Sequence, residues 1–293
     1  MTAGAEAAHE LWRRVISDEL IYEAMLGGHH RERAEALRLS EDELRALDEL
    51  RAQPGTIWAV ENIRFRGTSM TLRTLRGRLP CTVQLLTQGN ADWLWDLAYE
   101  YLAWCRWQDL GHARAAEALR FVDFVRRRVM ARRRFPAFMD TVLGYEAAAN
   151  VLLQRCAGLP VDRWPRDGDA LAGRIAGARL RLSDTATLVA LTHDLVDWLR
   201  GPSAGVSWFE AASGPVPAEV AAAPAFVVLH LASAEARVAA ERLEPDQHAV
   251  LASCRGEATG RELLAARADL PGAAAWLGAW ARRGIVVDTE APR

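Results

Sequence analysis

The chain has 293 residues, of which 51% are apolar and 25% are charged, and its formal net charge is −2. This composition is ordinary for a soluble folded protein with room for one large domain or two smaller ones. A net charge near zero predicts no general electrostatic attraction to nucleic acid or membranes. All 36 basic residues are arginines, which excludes a Walker-type lysine, a Schiff-base lysine and a lysine general base.

The four cysteines, Cys81, Cys105, Cys156 and Cys254, lie far apart and lack the paired spacing of a zinc site. We expect them to be reduced thiols, mostly buried. The N-terminal residues MTAGAEAAHELWRR lack the apolar core of a signal peptide, and no run of about 18 apolar residues is present to span a bilayer. The sequence therefore predicts a cytoplasmic protein that does not engage membranes.

The first half of the chain is predicted to be helical. Apolar residues recur at helical spacing from Leu11 to Met25, and the Gly27-Gly28 pair is expected to end that helix. Ser40 followed by Glu43 is a capping-box pattern that opens another helix. Continuing in this way, the patterns predict six or seven helices before about Cys156.

The residue composition changes in the segment AGLPVDRWPRDGDALAGRIAG, where Gly, Pro and Asp cluster. We predict a helical domain for partner docking at residues 1–157 and an α+β domain at residues 158–293. The second domain begins with an alternating run around Leu180, followed by a short helix around Leu195–Leu199. The segments Phe226–Leu231 and Arg237–Leu243 are predicted to be two strands of a hairpin.

Residues 247–287, QHAVLASCRGEATGRELLAARADLPGAAAWLGAWARRGIVV, have the pattern of a helix-turn-helix closed by a short strand. Thr259 and Glu262 form a second capping box, Pro271 begins the third helix, and Gly284 is a natural left-handed stop. The expected fold class is therefore α+β. An N-terminal all-α domain is followed by a winged-helix-like domain that resembles a peptide-recognition element.

The third helix of this unit is poorly suited to reading DNA. Its only polar side chains are Arg282 and Arg283, at the end opposite to the usual helix-N-terminal approach. From Pro224 onward there are eight Arg against nine Asp and Glu, so counterion release would gain little. Nucleic acid is therefore not the expected partner.

A sheet edge beside this apolar helix suits an extended peptide, which adds to the edge as another strand. The third helix carries Trp276 and Trp280, and the alternative interpretation is that both side chains belong to the protein's core. The predicted peptide-binding residues, on the hairpin strands and the third helix, are Phe226, Val228, Leu229, Leu231, Val238, Trp276 and Trp280.

No catalytic residue, metal ligand set or cofactor is predicted for this chain. The side chains of adjacent His29 and His30 diverge, and no third ligand has useful spacing, so we expect an exposed loop there. His193 and Asp194 have no nucleophile nearby, and a structural hydrogen bond is the favoured interpretation. The cysteines lack an adjacent base or resolving partner.

The segment RFVDFVRRRVMARRRF carries seven Arg against the single Asp123. Three interpretations are open: a solvated helix face, a docking surface for an acidic partner, and a weak RNA contact. The first 157 residues carry 22 Arg against 21 acidic residues, so the patch is local, and local patches favour specific docking. The predicted partner-docking residues are Arg126, Arg127, Arg128, Arg132, Arg133 and Arg134.

The order of four segments resembles that of a known family. They read LRGRLPCTVQLL, RRFPAFMDTVLGYEAAANVLL, ARLRLSDTATLVALTHDLVDWL and LEPDQHAVLASCRGEATGRELLAA. The chain resembles the partner proteins encoded beside multinuclear non-haem iron-dependent oxidative enzymes in ribosomal-peptide (RiPP) biosynthesis, such as those of the methanobactin and thiaglutamate pathways. The likeness covers most of the chain and lies in layout rather than in one diagnostic motif.

This resemblance implies a non-catalytic accessory protein that forms a heterodimer with the iron-dependent oxidative enzyme. The leader of the precursor peptide would bind as an added strand, and iron would belong to the partner enzyme only. Two other classes stay open. One is a DNA-binding transcription regulator with a winged-helix-like C-terminal domain and a contact through the arginine-rich helix. The other is an enzyme with a site in the Trp-rich helical bundle.

Overall fold

The computed structural model describes residues 3–87, 90, 92–107, 114–160, 164, 168–200, 216–233 and 237–290. The fold mixes helices with two small antiparallel sheets, so the predicted α+β class is confirmed. None of the helices in the described ranges is long and apolar enough to cross a membrane.

Nine α-helices lie between Ala3 and Cys156 in the described residues, more than the six or seven predicted. They are α1 (Ala3–Ser17), α2 (Glu19–Gly27), α3 (Ala34–Leu37), α4 (Glu41–Ala52), α5 (Thr56–Arg78), α6 (Pro80–Thr87), α7 (Asp92–Trp104), α8 (Arg114–Phe124) and α9 (Met139–Cys156). A π-helical turn at Val125–Val129 follows α8 directly.

The rest of the chain alternates strands with short helices. In order they are α10 (Gly168–Arg174), β1 (Arg179–Leu182), β2 (Ala186–Leu191), α11 (Val196–Arg200), β3 (Ala225–His230), β4 (Ala239–Leu243), α12 (Pro245–Ala252), β5 (Arg255–Thr259), α13 (Gly260–Ala266), α14 (Ala273–Arg282) and β6 (Val286–Asp288). The predicted short helix near Leu195–Leu199 and the predicted hairpin of β3 and β4 are both present.

The chain divides into two compact units. Unit 1 comprises residues 1–76 and 86–112, and unit 2 comprises residues 77–85 and 113–293. Helix α9 lies in unit 2 and packs against β2 and β3, so these units are drawn differently from the predicted domains. The domain boundary after residue 157 stays a prediction.

Local signals explain where several helices begin and end. The Asp18 carboxylate accepts hydrogen bonds from the N–H groups of Leu20 and Ile21, which starts α2 as a separate helix within a run that reads as continuous. Gly28 ends α2 in the left-handed region at φ 74°. Both predicted capping boxes are confirmed, at Ser40–Glu43 and Thr259–Glu262.

The sheet that contains the predicted hairpin has strand order β2-β3-β4. One face of β3 packs on α9, and Val227 and Leu229 are fully buried. The other face belongs to a core cluster in which Val228 and Leu243 join Val250, Leu277 and Trp280 of the following helices. Both faces of β3 are therefore covered, and among the described strands the outer edges of β2 and β4 have no strand partner.

The second sheet, with order β5-β1-β6, includes a strand that the sequence pattern missed. Arg255-Gly256 reads as a simple helix break, yet β5 begins there and pairs with β1. Gly256 has φ +85°, and a Cβ at this position would lie 2.7 Å from Cγ2 of Thr289. The pairing partner lies more than 70 residues earlier, and a local pattern holds no information about it.

Candidate functional site

Strand β3 has no free edge, because it pairs with β2 on one side and with β4 on the other. An extended peptide therefore cannot add to Phe226–Leu231, which corrects part of the predicted binding mode. Among the described strands, β4 pairs only with β3. The outer edge of β4 is the part of the predicted hairpin that can accept another strand.

The register shows which backbone groups face outward from β4. The Leu231 N–H donates to the Thr185 carbonyl at 2.9 Å, so this opposed pair is hydrogen-bonded. Bonded and non-bonded pairs alternate along an antiparallel ladder, which directs the backbone groups of Val228 and His230 toward β4. On β4, Ala239, Glu241 and Leu243 bond to β3. The N–H and C=O groups of Ala240 and Arg242 therefore point away from the sheet.

Most of the predicted peptide-binding side chains lie in the protein's own core. Val228 and Leu229 are fully buried, and Leu231 and Trp280 are 3% and 2% exposed. Phe226 is half-buried and stacks on His248, with 4.2 Å between ring centroids. Two members of the set remain partly accessible: Val238, just before β4, and Trp276 on α14.

A charged network on β4 connects the strand to the end of α14. Glu241 accepts a hydrogen bond from Nε2 of His230 at 2.9 Å and forms an ion pair with Arg283. The bond from His230 and the Arg283 guanidinium hold the pKa of Glu241 below its usual range. His230 is 8% exposed, and no group in the described part of the chain forms a hydrogen bond with its Nδ1. These contacts fix the Glu241 side chain on the face of β4 that lies toward α14.

The opposite face of β4 is held by Arg242. Its two Nη atoms donate to the two carboxylate oxygens of Asp194 at 2.6 and 2.8 Å, and Nη2 also reaches Asp197 at 3.3 Å. A bidentate pair of this kind fixes orientation as well as charge. The side chain of Arg242 therefore bonds to carboxylates at α11, and only its backbone groups point toward the outer edge of β4.

Helix α14 offers little polar surface. Ala274 and Ala275 are its exposed residues before Arg282, and Trp276 is half-buried with its ring over Gly272. The carbonyl end of α14 is covered by the start of α10, because a Cβ on Gly168 would lie 2.5 Å from the Ala281 oxygen. The sequence did not indicate this contact.

The arginine-rich segment follows α8 in unit 2, and all six of its predicted docking arginines are exposed. Arg126 pairs with Asp140 at 2.9 Å, and Arg127 pairs with Asp123 at 2.7 Å. Arg132 donates from Nε to the carbonyl of Arg128 at 2.8 Å. Six exposed arginines against the two carboxylates of these pairs leave the segment with a basic surface.

The two histidine motifs have structural surroundings. His30 is 2% exposed and bonds Asp48 at 2.8 Å, which corrects the expectation that the His29-His30 loop is exposed; His29 itself is exposed. Nδ1 of His193 lies 3.0 Å from the hydroxyl of Thr141. Within the described ranges, no group of three or more His, Cys, Asp or Glu is arranged to hold a metal ion.

The four cysteines are buried and form no disulfide. Burial raises the pKa of the Cys254 thiol to about 12 and that of the Cys81 thiol further still. A thiolate is the nucleophilic form of cysteine, so neither residue is prepared for nucleophilic chemistry. The prediction that the four thiols are buried is confirmed.

Unit 1 contains a buried arginine that the sequence patterns did not single out. Arg64 is 2% exposed and pairs with Glu19, and its Nη2 donates to the Tyr99 hydroxyl at 2.7 Å. The guanidinium carbon lies 3.7 Å from the ring centroid of Tyr22 and 4.4 Å from that of Trp107. Aromatic faces and one carboxylate thus stabilise this charge. The only sign in the sequence is that Arg64 lies on the same side of α5 as the other residues that are buried.

No protein-family model matches the chain, and no curated protein matches it either.

Proposed function

We infer that the protein is a non-catalytic accessory subunit that binds the leader of a ribosomally made precursor peptide by strand addition at β4. The observation that carries this inference is the outer edge of β4, to which no described strand pairs and toward which the backbone groups of Ala240 and Arg242 point. The small side chains of Ala239 and Ala240, on opposite faces of the strand, leave room for the side chains of an added strand. The described core around the strand provides a rigid template.

The order of elements around this edge supports a winged-helix-like unit. Strands β2, β3 and β4 precede α12, β5, α13, α14 and β6 in the chain, and α12 packs against β3 and β4. In this proposal Val238 and Trp276 contact the leader, because they are the partly exposed members of the predicted set. Phe226, Val228, Leu229, Leu231 and Trp280 hold the strand and helix in place from the core.

The partner in this proposal is an iron-dependent oxidative enzyme, which binds as the second subunit of a heterodimer and carries the iron. The exposed basic surface at Arg126–Arg128 and Arg132–Arg134 is the proposed docking site, and it suits an acidic surface on that enzyme. The accessory chain supplies no catalytic group. Its contribution is to hold the precursor while the partner oxidises it.

The test uses the full-length chain and a fluorescent synthetic leader from the short cysteine-containing precursor that the proposal expects beside this gene. Ala240→Pro removes an outward N–H and leaves every bond from β4 to β3 in place. Ala240→Val keeps that N–H and is the matched control. We expect the proline variant to lose leader binding and the valine variant to retain it, with both chains folded.

Ala239→Pro checks the assignment of inward and outward groups, because the Ala239 N–H bonds to β3. This variant should lower the melting temperature, whereas Ala240→Pro should change it little. Equal leader affinity in wild type and Ala240→Pro would remove strand addition at β4 from consideration. No leader affinity in the wild type, alone or with the partner enzyme present, would overturn the accessory role itself.

The DNA-binding alternative receives less support. The exposed surface of α14 before Arg282 consists of alanines, which offer no hydrogen bonds to base edges. A gel shift with a steep dependence on salt concentration, lost when Arg126–Arg128 are changed to Gln, would favour that alternative over peptide binding.

A further inference from the structure

Helix α5 in unit 1 buries a polar stripe and exposes an apolar one. Its buried residues include Arg64, Thr68 and Thr71. Its exposed side chains include Trp58, Ile63, Phe65 and Met70, which are 68%, 41%, 59% and 65% exposed. A surface helix of a globular protein usually does the reverse. Clustered apolar groups of this size on a surface indicate a contact with another molecule.

This apolar surface continues onto α7. The rings of Phe65 and Trp95 lie 5.3 Å apart between centroids, and Trp95 is half-buried. Helical spacing puts Trp58 on the same side of α5 as Phe65, seven residues away. Trp58, Phe65 and Trp95 therefore form what we term the apolar seam, between the outer faces of the two helices.

Charges of opposite sign lie on the two sides of the apolar seam. Around the circumference of α5, the exposed residues Arg66 and Arg73 lie between the apolar seam and Met70. On α7 the exposed residues Asp92 and Asp96 lie on the side of Trp95 away from the core. The surface thus consists of an acidic strip, an apolar seam and a basic strip, in that order.

We propose that this surface binds a second copy of the chain. A twofold axis that runs along the apolar seam places the seam of one copy on that of the other and brings the basic strip of each copy onto the acidic strip of the other. The surface is therefore complementary to itself in both charge and hydrophobicity. This proposal is independent of peptide binding in unit 2.

Two other occupants fit the surface less well. A lipid bilayer would have to bury Arg66 and Arg73 together with the apolar residues between which they lie, at a high cost in desolvation. A nucleic acid would meet Asp92 and Asp96 beside Trp95, and these carboxylates repel phosphates. A second copy places each strip against charges of the opposite sign.

The experiment is sedimentation velocity on the full-length chain across a wide range of concentrations. We expect reversible formation of a species with twice the chain's mass. Arg66→Glu with Arg73→Glu should weaken it by about tenfold or more, because like charges then face each other. Asp92→Arg with Asp96→Arg should do the same. An equimolar mixture of the two double variants should dimerise again, since their strips are complementary.

The matched control is Arg33→Glu with Arg45→Glu, which makes the same change of charge at two other exposed positions of unit 1 and should leave dimerisation unchanged. Trp58→Ser, at a 68% exposed position, should weaken the dimer without unfolding the chain, which far-UV circular dichroism verifies. A wild-type chain that stays monomeric overturns the proposal. A dimer that the strip reversals leave intact, or that the mixture fails to restore, also overturns it.

Gel shifts with a single-stranded oligonucleotide and flotation with anionic vesicles are performed on the same variants. Binding in either assay that depends on Trp58 and Arg66, in a chain that stays monomeric, would assign the surface to that ligand instead.

Discussion

Glu146 accepts a hydrogen bond from the backbone N–H of Cys81 at 2.8 Å, across 65 residues of sequence. Its other carboxylate oxygen accepts the N–H of Thr82 at 2.9 Å, so one acidic side chain on α9 satisfies two free donors at the start of α6. Glu146 is 4% exposed. Burial raises its pKa from 4.5 to about 7, against the opposing effect of the hydrogen bonds it accepts.

We predict that this carboxyl makes the protein less stable as the pH rises. A folded-state pKa above the unfolded value means that the folded state binds the proton more tightly. The stabilisation is therefore complete below pH 4.5 and is lost as the pH rises through about 7. The full effect is at most ~3 kcal/mol. Urea unfolding at a series of pH values between 4 and 8 measures it.

The Glu146→Gln variant should flatten this pH dependence, because its amide does not titrate, although it satisfies only one of the two donors. Glu257→Gln removes one exposed carboxylate and controls for the change of net charge. A pH dependence that persists unchanged in Glu146→Gln would show that other groups cause it.

Arg64→Met should destabilise unit 1 by about 3 kcal/mol, because it leaves Glu19 without its partner and removes a charge packed between aromatic rings. The neighbouring Arg66→Met, at an exposed position of the same helix, should cost less than about 0.5 kcal/mol. Denaturant unfolding followed by tryptophan fluorescence measures both.

Adding Glu19→Gln to Arg64→Met should recover part of the lost stability, since the unpaired carboxylate is then gone. If the loss of unfolding free energy in the double variant equals the sum of the losses in the two single variants, the cost lies in packing against Tyr22 and Trp107 rather than in the ion pair.

Two glycine-to-alanine changes should act in opposite directions. A Cβ on Gly260 would lie 2.1 Å from the carbonyl oxygen of Ile175, which belongs to the backbone, so Gly260→Ala should destabilise by about 2 kcal/mol or more. Gly173 lies in α10 with nothing within 4 Å of its Cβ position, so Gly173→Ala should stabilise by about 0.5–1 kcal/mol. Thermal unfolding compares the two, and equal effects would contradict the close approach at Gly260.

Substitutions of the two tryptophans of α14 should have different effects, one mainly on stability and the other mainly on peptide binding. Trp280 is 2% exposed in the core, and Trp280→Ala should cost about 3–5 kcal/mol. Trp276 is half-buried, so Trp276→Ala should cost less stability and, under the proposed function, weaken leader binding by about tenfold. Leader affinity unchanged by Trp276→Ala would place this side chain outside the binding site.

Much of the local structure could be predicted from the sequence, because its causes lie within a few residues. Asn90 bonds the N–H of Asp92 at the start of α7, and Gly284 has φ +67° after α14. The strand-like segments AFVVLHL and ARVAAERL likewise predicted the hairpin of β3 and β4. The hairpin that carries the candidate site was predicted, but most of the proposed contact residues belong to the core.

The sequence by itself determined the helix caps, the hairpin and the mixed α+β class, because these depend on short-range spacing and on the conformations that individual residues allow. Only the tertiary structure decided which edge of the hairpin is open, that β5 joins β1, and that His30, Arg64 and Glu146 are buried. Each of these depends on a partner distant in the sequence. The spacing of neighbouring residues cannot encode which distant groups will exclude water from a side chain or complete a strand's hydrogen bonds.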